Sequence, residues 1–170
     1  MIAHLSDQER VAYGKAKEHL IVKKLAELGY SITPPTDHQD MYDKIDGFYT
    51  AKNGKSKSIQ VKYRESGDDV LFEVIKDWDK NVYGRDYVSK AELYIVANRA
   101  GVTRMYPKQL FKDLADQILQ VVDQSPNDGD WSGNGWEAKL RPDPRNGNYK
   151  LIAFISPTLF TPLFEQHLVL

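Results

Sequence analysis

Four side chains carry the chemical interest of this 170-residue chain: Glu18, Asp46, Gln60 and Lys62. Two carboxylates and an amide oxygen are hard donors of the kind that Mg²⁺ (or Mn²⁺) takes, with water and phosphate completing the shell. The Val61 carbonyl adds a backbone oxygen between Gln60 and Lys62. In an extended strand Gln60 and Lys62 point to one face, where the ammonium can orient a water or offset charge on a phosphate. A cation held by such oxygens polarises a phosphodiester and lowers the pKa of an attacking water. Asp43 is a rival for the metal carboxylate and takes second place, because its spacing to Gln60 is longer. Arg64 continues the Gln60–Lys62 face and, with Lys44 and Lys57, is a candidate phosphate contact; pairing with Glu65 or Glu73 is its alternative.

A helix and two strands must meet for these residues to converge. Ser6-x-x-Glu9 has the form of a capping box. The helix it opens runs to about Leu28, with Gly29 placed for the left-handed end position. Val11, Gly14, Glu18, Ile21, Val22, Leu25 and Leu28 share one face of it. A carboxylate within that stripe must be paired, bound to a cation, or at its edge. Residues 44–50 read as a strand, Asn53-Gly54 as a turn and residues 58–64 as a second strand, in which Ile59, Val61 and Tyr63 alternate with Gln60, Lys62 and Arg64. Register then decides the site. A two-residue turn at Asn53-Gly54 places Asp46 opposite Val61, on the wrong face; a bulge or an odd loop places it opposite Gln60 or Lys62.

A helical Glu, an Asp at a strand end, a hairpin and a Gln-x-Lys strand together resemble the PD-(D/E)xK (restriction endonuclease-like) nuclease superfamily, in the variant with Gln in the acidic position. The stretches Lys44-Ile45-Asp46-Gly47-Phe48 and Ile59-Gln60-Val61-Lys62-Tyr63-Arg64 carry the likeness, which covers about residues 6–66. It implies an α/β fold with a central mixed sheet flanked by helices and a restriction endonuclease-like core. It also implies a Mg-dependent deoxyribonuclease, with Glu18, Asp46, Gln60 and Val61 at the metal and Lys62 assisting water attack. DNA is the partner so implied, and a homodimer is the expected assembly for cutting two strands. The alternative is a catalytically silent nuclease-fold accessory protein that binds nucleic acid or a protein; Gln60, which removes one charge from the metal site, keeps it open. An interaction module with no nucleic-acid role is the third reading.

The rest of the chain bounds these readings. Its length suits one domain. It has no cysteine, which removes disulfides and thiolate chemistry and fits a reducing, cytoplasmic setting. The N-terminus shows no signal peptide, and the longest apolar run, residues 151–155, is far short of the ~20 residues of a membrane span. The net charge of −1 excludes a general polycation, yet residues 44–64 carry +5, leaving −6 elsewhere. His4, His19, His38 and His167 lack ligand spacing and read as surface or structural. Asp37-His38-Gln39-Asp40 reads as a polar loop, and Asp68-Asp69 as a lesser candidate for a further carboxylate. Further strands are expected near residues 30–32, 70–75, 93–97 and 103–106. A helix from Pro107 to about Val122 would bury Leu110, Leu114, Ile118 and Val121; residues 77–90 read as a loop with some helix and 124–135 as a loop. A hairpin around Asn146-Gly147 follows, and then an apolar tail from residue 158 that folds as a short helix or meets a partner chain.

Overall fold

The computed structural model describes residues 5–122 and 129–170. Its frame is a mixed sheet in the order β1 (Ser31–Thr33), β2 (Gly47–Thr50), β3 (Ser56–Arg64), β6 (Leu93–Asn98), β7 (Val102–Pro107) and β11 (Phe164–His167). The first three strands form an antiparallel meander, and β6 then lies parallel to β3. A parallel neighbour needs a long crossover. Here the crossover is β4 (Val70–Asp77), β5 (Val82–Tyr83) and the short helix α2 (Arg85–Val88). β4 belongs to a second, antiparallel sheet in the order β5, β4, β10 (Tyr149–Ile155), β9 (Trp136–Pro142), β8 (Gly129–Gly133).

Alternation along β3 and β6 makes two cores. Ile59, Val61, Leu93, Ile95 and Ala97 pack against Ile21 and Leu25 of α1 (Asp7–Glu27). On the other face Tyr94 and Val96 meet Phe111, Leu114 and Ile118 of α3 (Lys108–Val122), together with Phe72, Ala138, Leu140, Leu151 and Ala153 of the second sheet. The chain is thus a mixed α/β protein. The expectation of a sheet flanked by helices is corrected on this second face, where a β-sheet and one helix share the cover. Strand β6 is buried along nearly its whole length, as its continuous apolar run implies.

Local signals hold at several ends. Ser6 and Glu9 form both bonds of the capping box, and Gly29 takes φ 95°. The hairpin β9–β10 turns through Gly147 at φ 73°. Other expectations are corrected. Val11 and Leu28 are exposed, because a 21-residue helix, about 30 Å long, overruns the patch of sheet it covers. In α3 the buried face is Phe111, Leu114, Ala115, Ile118 and Val122, and Val121 is exposed. Residues 129–133, read as loop, are strand β8; the rest of that segment up to residue 128 lies outside the described residues, as does His4. The tail is neither a helix nor free: β11 pairs with β7 and Leu168 is buried in the α1-side core. Among the described residues no helix is long and apolar enough to cross a membrane.

Candidate functional site

The site forms where β2 parts from β3. Ala51 donates its N–H to the Lys55 carbonyl at 2.9 Å, so the hairpin closes through the three residues Lys52, Asn53 and Gly54. Gly54 sits at φ 80°, a left-handed position that costs a residue with a Cβ roughly 1 kcal/mol. The odd loop sets Gly47 opposite Ile59, which puts Asp46 one step further on, against Gln60. The odd loop that the site requires is present, but Asp46, which precedes β2, lines a pocket with Glu18 and Val61 and not with Gln60.

Asp46 is not within a strand, as the reading of residues 44–50 had it. A π-helical turn over Gln39–Asp43 precedes it, and Lys44 ends that turn at φ 55°. A left-handed non-glycine residue persists only where its surroundings hold it. Here Ser89 Oγ donates to the Lys44 carbonyl at 2.8 Å, the Lys90 N–H to the Asp43 carbonyl at 2.9 Å, and Lys90 Nζ lies 2.7 Å from Asp43. The chain is so turned that the Asp46 N–H donates to the Ile59 carbonyl at 2.8 Å, while its carboxylate accepts the Val61 N–H at 2.7 Å. In an extended strand a residue's N–H and C=O point to the same side, so the Val61 carbonyl also faces the gap that β2 vacates.

Glu18, one turn before the buried Ile21, lines the same pocket of about 210 Å³ as Asp46 and Val61, with Lys15, His19, Asp37 and Asp40 around it. Burial, then the neighbouring Asp46 charge, raises the Glu18 carboxyl to about 7 against the pull of Lys62 and Arg85. Burial also raises Asp46, opposed by the Val61 N–H, Arg85 and Lys62. Two carboxylates forced together out of water are the electrostatic condition under which a cation or a proton is taken up. Arg85 on α2, 3.7 Å from Asp46, is half-exposed, and Lys62 is a third exposed. Burial works against the Lys62 charge, yet Asp86 and Glu18 outweigh it and its pKa stands above the ordinary lysine value.

Gln60 stands differently. It is fully buried; its Nε2 donates to Asp86 at 2.9 Å, and its Oε1 accepts from Lys108 Nζ. The amide lies on the Tyr94 face, not along the pocket that holds Glu18 and Asp46. Among the described residues no cluster of three or more His, Asp or Glu suited to a metal ion is found; of the sequence-predicted ligands, Glu18, Asp46 and Val61 are the ones on the pocket, two carboxylates and a carbonyl. That set matches Mg²⁺, which binds through one or two carboxylates and keeps several waters.

The remaining candidates fall outside the pocket. Asp43 is engaged by Lys90. Arg64 bonds to Asp69 at 2.9 and 3.1 Å, rather than to Glu65 or Glu73. Asp68 bonds to Asn98 at 2.5 Å and pairs with Arg104. Lys44 donates to the Met41 carbonyl, and Lys57 is exposed near the hairpin tip. The residues that sequence reasoning passed over are Arg85, Asp86 and Lys108. Arg85 and Asp86 sit in a weakly periodic segment, and Lys108 at a helix start, where a lysine is ordinarily solvated. The chain matches no family model, no curated protein and no solved structure.

Proposed function

We propose that this protein is a metal-dependent DNA endonuclease with a restriction endonuclease-like core. The observation that carries the reading is the shared pocket: the Asp46 carboxylate, seated on the Val61 N–H just beyond the odd β2–β3 loop, lines it together with Glu18. A helical Glu and a strand-end Asp on one pocket are what the resemblance implies; Gln60, bonded to Asp86 and Lys108, departs from it.

Glu18, Asp46 and the Val61 carbonyl would hold Mg²⁺ or Mn²⁺. Bound there, the ion supplies Lewis acidity toward a phosphate oxygen and acidifies a coordinated water. The protein's own part is electrostatic and positional. The Val61 N–H fixes one Asp46 oxygen, Arg85 faces the other, and Lys62, paired with Asp86, keeps a positive charge that acts on both Glu18 and Asp46. Phosphoryl oxygens gain from such fixed charges as negative charge builds on them.

The test is cleavage of plasmid, single-stranded and branched DNA with Mg²⁺ or Mn²⁺. Asp46→Ala and Lys62→Ala are each expected to lower the rate by roughly 10²-fold or more. Activity that is equal in all three proteins would place the site elsewhere. One observation favours a second reading, a silent accessory protein: the Gln60 oxygen is already engaged by Lys108. DNA binding without cleavage, and with no response to Mn²⁺, would select it.

A further inference from the structure

Resting on the reading of Lys62 as the group that faces the phosphate, we propose that Asp86 is the positioning residue of the site. In this proposal Gln60 is the amide bridge that ties Asp86 to Lys108 and is not a metal ligand.

Asp86 is buried, 1 % exposed, and both its oxygens are used. Oδ2 accepts the Glu73 N–H at 2.7 Å, which pins α2 to β4. Oδ1 accepts from Gln60 Nε2 at 2.9 Å and lies 3.2 Å from Lys62 Nζ. One carboxylate thus joins the crossover to two side chains of β3. Lys62, on a flexible four-carbon stem and a third exposed, would otherwise sample many positions.

The bridge also accounts for glutamine where an acid is usual. Between Asp86, which only accepts, and Lys108, which only donates, the linking side chain must donate at one end and accept at the other. A primary amide does both. A carboxylate at this position would turn an oxygen toward Asp86 and repel it, and burial would sharpen that repulsion. Lys108 itself is 1 % exposed at the start of α3, and its ammonium lies 5.7 Å from the Tyr94 ring centre. Its best acceptor in that interior is the Gln60 oxygen. Lys108, Gln60, Asp86 and Lys62 therefore form one chain of donors and acceptors running from the buried start of α3 to the partly exposed Lys62.

The experiment compares wild type with Q60E, D86N and the double variant Q60E/D86N. Each single change opposes two like groups: two carboxylates in Q60E, and an NH₂ against the Gln60 NH₂, the Lys62 ammonium or the Glu73 N–H in D86N. Each is expected to lower the unfolding midpoint by at least about 2–4 °C. In the double variant the amide on position 86 donates to the acid on position 60, Lys108 keeps an acceptor, and the midpoint returns toward wild type. The oxygen that held Lys62 is then an NH₂, so kcat for DNA cleavage stays down by roughly 10²-fold with KM nearly unchanged. A purely structural bridge would recover kcat together with the midpoint, and that result overturns the positioning role. Undiminished cleavage and tighter Mn²⁺ binding in Q60E overturns the bridge and makes position 60 a metal ligand. A ¹⁵N spectrum of the lysine ammonium groups reads the anchor without cleavage: the Lys62 signal, protected in wild type, is expected to vanish in D86N and in the double variant. If that signal persists there, the anchor is refuted. A wild type that shows the signal and the stability pattern but cuts nothing refutes the nuclease reading alone.

Discussion

Glu18 holds its proton to about 7 because burial and Asp46 both disfavour its charge. The unfolded chain releases that proton near the ordinary 4.5. The folded form is therefore favoured by this group below that value, and the advantage is lost as pH rises through about 7. Glu18→Gln is expected to stabilise the metal-free protein at about pH 8 by on the order of 1–2 kcal/mol, allowing for solvent screening, and hardly at all at about pH 4. Thermal melts across that range check it. Lys108 has the opposite sign. Burial lowers it from 10.5 to about 7, so its contribution is present at high pH and lost as pH falls through about 7. Because a ligating carboxylate must be deprotonated, Mn²⁺ affinity is expected to rise with pH through about 7 in wild type; in Glu18→Gln the slope is expected to flatten, as calorimetric titration would read.

Among the elements, the β2–β3 hairpin decides whether the acidic residues meet. Deleting Asn53 turns the three-residue loop into a two-residue one and shifts the register by a step, taking the Asp46 carboxylate off the Val61 N–H and out of the pocket it shares with Glu18. Loss of any Mn²⁺-induced rise in melting temperature is the expected outcome, with a stability cost smaller than that of a core mutation. Gly54→Ala keeps the register and is expected to cost about 1 kcal/mol through its left-handed φ alone, leaving the Mn²⁺ response intact. The pair separates the loop's length from its conformation. Lys44 at φ 55° is the companion device, turning the chain out of the π-helical turn and into the site.

In the whole molecule the two cores meet across β3 and β6, so damage at the sheet's far edge reaches the site only through stability. Strand β11 closes that edge, and Leu168 is 7 % exposed beneath it. Removing residues 164–170 uncovers Leu168's neighbours and the donors and acceptors of β7. At about 25 cal/mol per Å² of apolar surface, the Leu168 side chain alone represents roughly 2 kcal/mol. A lowered melting temperature and association through the bared β7 edge are expected, read by gel filtration. Charge also acts at this scale. Lys52, Lys55 and Lys57 cluster at the exposed hairpin tip, away from the carboxylates. Replacing all three by Ala is expected to weaken DNA binding and to reduce the slope of log K against log salt by up to about 3, with kcat unchanged.

How much of this was legible in the sequence follows from the range of each interaction. Helix α1 with its capping box, the Gln60/Lys62 alternation and the dependence of the site on an odd loop are local matters, set by residues a few positions apart. The same holds for the hairpin at Gly147. The second sheet over the Tyr94 face, the π-helical turn that re-aims Asp46 and the docking of β11 were not legible, because each is stabilised by residues 40 or more positions away, such as Ser89 under Lys44. Gln60 shows the divide most plainly. Its sequence position marks it as a metal ligand, whereas folding surrounds it with a buried acid and a buried lysine that claim both ends of its amide. The chain by itself determined which donors stand on which strand face; only the packed structure decided which partners those donors meet, since a buried polar group bonds to whatever the fold brings within reach.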